Sequence, residues 1–122
     1  MRILVVDDNE AAAKTIGWAV EAFGYEMQLA HDGLEAIKLA TTFRPHVMLL
    51  DITMPGMNGY EVCRQLRQKA ALQHTVFVAQ TGWGSEHQRL LKEAGFRHHL
   101  LKPISIEVLQ DLLSSIAETV ED

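Results

Sequence analysis

The sequence predicts an α/β fold, a doubly wound five-stranded parallel sheet with five helices, forming one domain over residues 1–122. Three observations predict it. Short apolar runs alternate five times with stretches of helical periodicity. Two of those runs, Ile3 to Val6 and Val47 to Leu50, are continuously apolar, as strands buried on both faces must be. The intervening segments have room for helices of roughly 10–15 residues, the spacing of parallel β-α-β units.

The elements follow in order. Ile3 to Val6 is the first strand. Asn9 caps a helix in which Ala12, Ile16, Ala19, Val20 and Phe23 share a face, and Gly24 ends it. Tyr25 to Ala30 alternates like a half-exposed edge strand. Asp32-Gly33 opens the second helix, with Ala36, Ile37, Leu39 and Ala40, and Pro45 stops it. After the third strand, Val47 to Leu50, a loop from Met54 to Gly59 leads to a third helix with Val62 and Leu66 inward. Thr75 to Ala79 is the fourth strand, with Thr81-Gly82 just past its end. The fourth helix carries Leu90, Leu91 and Ala94 and closes at Gly95. His99 to Leu101 is the fifth strand, and the last helix shows Ile106, Leu109, Leu113, Ile116 and Val120.

Composition narrows the function classes. The formal net charge is -5 and the 11 Lys and Arg are scattered, which argues against a basic face for nucleic acid. One cysteine, Cys63, excludes an intramolecular disulfide and reads as a small buried hydrophobe. The apolar start, Ile3 to Val6, is too short for a signal peptide or a membrane span. A cytoplasmic address without membrane contact is expected.

Five such units with right-handed crossovers give a doubly wound sheet, and the flavodoxin-like strand order 2-1-3-4-5 is expected for it. Ligands of such sheets bind beyond the carboxyl ends of the strands, where the order reverses. Asp7 and Asp8 follow the first strand, Asp51 the third, Thr81 the fourth and Lys102 the fifth. Neighbouring strands lie about 4.8 Å apart, so the three acids converge within one cation's reach. Lys102 starts roughly 10 Å from Asp51 but leans back on its long stem.

Three clustered carboxylates repel one another unless a cation neutralises them. A hard divalent ion with oxygen ligands fits, and Mg²⁺ leaves positions for phosphate oxygens; Mn²⁺ could substitute. The histidines are dispersed and offer no zinc spacing. Each piece also has an ordinary reading: an acid pair as a solvated turn or cap, Asp51 as a turn acid, Lys102-Pro103 as a lysine before a helix start. Their gathering on one sheet edge is what favours a site.

The stretches Ile3-Leu4-Val5-Val6-Asp7-Asp8-Asn9, Leu49 to Glu61, Thr81-Gly82 and Leu101-Lys102-Pro103 resemble the receiver domains of two-component signalling, along essentially the whole chain. The resemblance implies that Asp51 takes a phosphoryl group from a phosphohistidine on a histidine kinase or a histidine phosphotransfer protein. It implies Mg²⁺ ligation by Asp8, Asp51 and the Thr53 carbonyl, with Asp7 acting through a water. Lys102 would bind one phosphoryl oxygen and the Thr81 hydroxyl another. It also implies a cis peptide before Pro103, and a switch rather than an enzyme: acceptance is self-catalysed and autodephosphorylation slow.

Several positions stay open. His99 stands where many receivers carry an aromatic switch residue; otherwise it is an exposed edge-strand histidine. As the switch, it would make output vary between pH 6 and 7. Trp83 and Thr53 occupy positions that tune phosphate lifetime in receivers, with Trp83 either shielding the phosphate or packing on its own loop. Trp18 lies opposite its helix's apolar stripe, either as an anchor for kinase or phosphotransfer docking or flat on the surface. Val108 and Leu112 widen the last helix's apolar face, which serves either a deep core or a partner or homodimer surface of helix 4, strand 5 and helix 5.

Three rival functions are weaker. A phosphatase of the haloacid-dehalogenase type needs a second Asp two residues after its nucleophile, where this chain has Thr53. A receiver-like interaction module that is never phosphorylated usually lacks an acid or the lysine. A flavodoxin would carry a Ser/Thr-rich phosphate loop where this chain has acids. Stand-alone regulator and excised domain both remain open, with the Gly82-Trp83-Gly84 and Phe96 to Pro103 stretches closer to hybrid-kinase receivers.

Overall fold

A computed structural model describes residues 1–82 and 88–120. The chain runs β1 (Arg2–Val6), α1 (Glu10–Ala22), β2 (Glu26–Ala30), α2 (Gly33–Phe43), β3 (Val47–Asp51) and α3 (Gly59–Arg67). A short 3₁₀ turn (Ala70–Leu72) precedes β4 (Val76–Thr81), α4 (Gln88–Ala94), β5 (His98–Leu101) and α5 (Ile106–Ala117). All pairings are parallel, in the order β2-β1-β3-β4-β5, as expected.

The period of two along each strand sends alternate side chains into two separate cores. Leu4, Val6, Met48, Leu50, Phe77 and Ala79 pack under α2, α3 and α4. Ile3, Val5, Leu49, Val78 and Leu100 pack with Ile16, Val20, Leu109 and Leu113 of α1 and α5. β3 and β4 therefore bury every residue and β1 all but Arg2, while β2 alternates at the edge. The helix starts are capped locally: Asn9, Asp32, Asn58 and Ser105 each accept a backbone N–H from the first turn.

Four details depart from the sequence reading. The buried face of α1 is Ala13, Ile16, Gly17 and Val20, one step round from the predicted stripe. Small residues win there because the helix lies close on β2: a Cβ on Gly17 would stand 3.0 Å from Leu29 and Met27 side-chain atoms. The fourth strand runs two residues further than predicted and contains Thr81, because the ladder to β3 continues through Asp51 and Gln80. Leu90 and Ile106, assigned to inward stripes, are exposed. The 3₁₀ turn had no periodic signal to betray it.

One close approach matters to the rim. A Cβ on Gly59 would lie 2.5 Å from the Asp51 carbonyl oxygen and 2.9 Å from the Ile52 Cα. The Gly59 N–H also donates to the Ile52 carbonyl at 3.1 Å, so α3 begins against the backbone of β3's end. We expect Gly59→Ala to force that backbone apart and cost about 1–3 kcal/mol, read as a lower urea midpoint at unchanged slope.

Candidate functional site at the carboxyl rim of the sheet

Asp51 is the last residue of β3, and Asp7 and Asp8 follow β1 directly. Because β1 and β3 are neighbours in register, Val6 beside Leu50, the acids meet. Carboxylate oxygens of Asp7, Asp8 and Asp51 lie within 4.8 Å of one another, with Asp7 and Asp51 buried and Asp8 exposed. Turn geometry holds two of them: Asp7 Oδ1 accepts the Asn9 N–H at 3.0 Å, and Asp51 Oδ1 accepts the Thr53 N–H at 3.1 Å.

Lys102 closes the cluster from the far side. Its Nζ lies 3.1 Å from Asp51 Oδ1 and 3.5 Å from Asp7 Oδ2. The lysine crosses the end of β4 to do this, and its own N–H donates to the Thr81 carbonyl at 2.7 Å. The peptide linking Lys102 to Pro103 is cis, as the resemblance implied. Thr81 is buried at the end of β4, between the acids and the lysine's starting point.

The electrostatics are unbalanced. Burial raises the Asp51 carboxyl to about 6 against the opposing Lys102 hydrogen bond, and the Asp7 charge pushes it in the same upward direction. One ammonium group thus faces three carboxylates. The donors are all oxygens, in a cluster with an open, exposed side at Asp8 and Thr53. Such a set suits a hard divalent cation and a negatively charged, oxygen-rich reactant beside Lys102.

The other sequence-predicted residues lie apart from this cluster or at its margin. Thr53 is exposed beside Asp51. His99 is half-buried in β5, paired with Ala79, and its neighbour His98 is exposed. Trp18 is 64% exposed on α1. Trp83 lies outside the described residues. Cys63 is buried, its Sγ 3.3 Å from the Ala94 carbonyl oxygen, and burial pushes its thiol up to about 12, so it is inert packing. Sequence reasoning missed Gln80, a buried amide next to Thr81. Its place directly after the apolar run Val76 to Ala79 gave no signal of burial.

The fold is that of CheY-type receivers. Chemotaxis protein CheY4 of Vibrio cholerae superposes with a TM-score of 0.89 at 28% identity, covering 94% of this chain and 97% of that one. The receiver domain of a sensor histidine kinase from Pseudomonas aeruginosa gives 0.86 at 28% identity, covering 95% and 97%; in that protein a magnesium ion is coordinated in the active-site cleft. The description "response regulator receiver domain" fits residues 3–114, and the chain belongs to that family, a signalling module of two-component systems and not a conventional enzyme. Among full-length relatives, response regulator MprA of Mycobacterium avium (strain 104) is 38% identical over 110 residues, 89% of this chain and 47% of the relative. MprA of Mycobacterium tuberculosis (strain ATCC 25618 / H37Rv) is 37% identical over the same length. The chain spans about half the length of these relatives. Among the described residues, no helix is long and apolar enough to cross a membrane.

The raised Asp51 value has a sign that can be tested. The unfolded carboxyl ionises near 3.8 and the folded one near 6, so the folded state holds a proton the unfolded state has lost. Stability should fall as pH rises through that window and stay reduced above it. Without divalent ions, Asp51→Asn should match wild type near pH 4 and exceed it above pH 7 by on the order of 2 kcal/mol. A gap independent of pH in urea unfolding would contradict this.

Proposed function

We propose that this domain accepts a phosphoryl group on Asp51 from a phosphohistidine of a histidine kinase or histidine phosphotransfer protein, and passes the event to its surface. The observation that carries this reading is Lys102 seated against Asp51 within a cluster of three acids. An Asp51 carboxylate oxygen attacks phosphorus as the P–N bond to the donor imidazole breaks, and the electron pair stays on that imidazole nitrogen. Family membership supports the direction of transfer.

The residues fit Mg²⁺, with Mn²⁺ as a substitute. Asp8, Asp51 and the Thr53 carbonyl would hold it, and Asp7 would act through a bound water. When present, the ion neutralises charge on the acids and on the incoming phosphoryl oxygens. The magnesium in the Pseudomonas aeruginosa relative supports the same assignment here. Lys102 orients one phosphoryl oxygen and neutralises it, while the Thr81 hydroxyl receives another. The product carries close to two negative charges, enough to redirect Thr81 and the half-buried His99 on the next strand. Thr53, exposed beside the acceptor, tunes how long the phosphoryl group survives, and Trp83 shares that role. Acceptance and slow self-dephosphorylation are the only chemistry required, at a cytoplasmic address.

Two surfaces would read and write the signal. Trp18, standing free of the core on α1, anchors the phosphodonor. A groove of about 770 Å³ between α4, β5 and α5 is lined by Lys92, Arg97, His99, Val108 and Leu112, with Val108 more than half exposed. Lys92 and Arg97 of this groove are exposed, as are the acids Glu107 and Asp111 of α5, a pairing of charges that suits a second copy of this chain. The scattered Lys and Arg argue against nucleic acid as a partner of this domain.

With Mg²⁺ and acetyl phosphate, wild type should gain the mass of one phosphoryl group while Asp51→Asn gains none, and the His99 ring signals should move. Trp18→Ala should slow transfer from a phosphohistidine donor but not from acetyl phosphate. An Asp51→Asn protein that is labelled as fast as wild type sinks the reading. For the second surface, the phosphorylated domain should sediment as a dimer and Val108→Asp should keep it monomeric; a phosphorylated wild type that stays monomeric at all concentrations removes the homodimer.

A further inference from the structure

Gln80 is one of four buried polar or charged residues among those described, and the only one of the four outside the acid, lysine and threonine set. The alternation of β4 places it on the face of Val78, and the same alternation places Asp51 with Leu49 and Asp7 with Val5. Gln80 therefore shares a face with the two buried carboxylates. Asp51 is its register partner on β3.

Its amide reaches across β3. Nε2 donates to the Leu49 carbonyl at 3.1 Å and to the Val6 carbonyl of β1 at 3.4 Å. Both partners are carbonyl oxygens, which only accept, so the amide's NH₂ end must face them. Its main-chain carbonyl also accepts the Ile52 N–H at 3.2 Å. One side chain thus ties three strands together immediately below the acids: Val6 precedes Asp7, and Leu49 lies two residues before Asp51.

That rung carries an opposing load. Mutual repulsion drives the Asp7 and Asp51 carboxylates apart, and both sit where strands end and the ladder stops. We infer that Gln80 is a positioning residue for the metal-and-phosphoryl site, holding the ends of β1 and β3 at the spacing that the acids need to share one divalent ion. The inference rests on the magnesium assignment proposed above. A filler of the core would do better as an apolar residue, because a buried amide gains little over an apolar group of the same shape. The two roles therefore part at magnesium binding, which a mere filler of the core would leave unchanged.

The test compares wild type with Gln80→Met and Gln80→Leu, which keep the bulk and remove both donors. Magnesium titration should show a dissociation constant raised by about tenfold, in the range of lost outer-shell partners. The metal-free melting temperature should stay level or rise, since the repelling acids can relax. Unchanged magnesium affinity overturns the inference, and so does a metal-free melting temperature lowered in both variants. In wild type, the Gln80 side-chain amide should resist hydrogen exchange and shift on adding Mg²⁺; a freely exchanging or unresponsive amide also overturns it, even if neither variant folds. A wild type blind to magnesium removes the site assignment itself, whereas equal binding by wild type and variants removes only the role of Gln80.

Discussion

A carboxylate that is buried beside another carboxylate and answered by a single lysine is the constraint on which the rest of this molecule depends. Asp51 cannot leave the sheet, because it is the last residue of β3 and its backbone is paired with β4. Asp7 cannot retreat either, since its N–H is bound to the Ala30 carbonyl and its side chain to Asn9. Lys102, 3.1 Å away, offsets part of the repulsion and leaves the remainder as a standing demand for positive charge.

The fold makes that arrangement rigid. Parallel strands with right-handed crossovers bring every carboxyl end to one rim, so residues distant in sequence arrive there together. The two cores grip the sheet from both sides, and β1, β3 and β4 bury all their apolar residues between them. The contact of Gly59 with the end of β3 leaves no slack for that strand to shift toward α3. β5 lies at the opposite edge of the sheet from β2, and α5 follows it. The outer face there is apolar at Leu101 and Val108 and already exposed.

Much of this was legible from residues in order. The acids, the threonine and the lysine each followed an apolar run, and counting runs was enough to place them on one edge. The inward stripe of α1 was misplaced by one step because periodicity weights large apolar residues, whereas close packing on β2 selected Ala13 and Gly17. Leu90 and Ile106 were assigned inward because hydrophobicity does not say which side of a wide apolar helix face has a neighbour. Gln80 escaped notice because a polar residue ending a strand reads as the start of a loop.

The amino-acid order alone determined the class of fold and the set of groups that follow the strands, since these follow from alternation, capping and the chirality of crossovers; the strand order it left as an expectation that the sheet bears out. Only the tertiary structure decided how those groups are charged and held: that Asp7 and Asp51 are buried while Asp8 is open, that Lys102 spans both buried acids, and that one amide binds three strands beneath them. Burial and distance are properties of several strands packed together, and no single segment of the chain carries them.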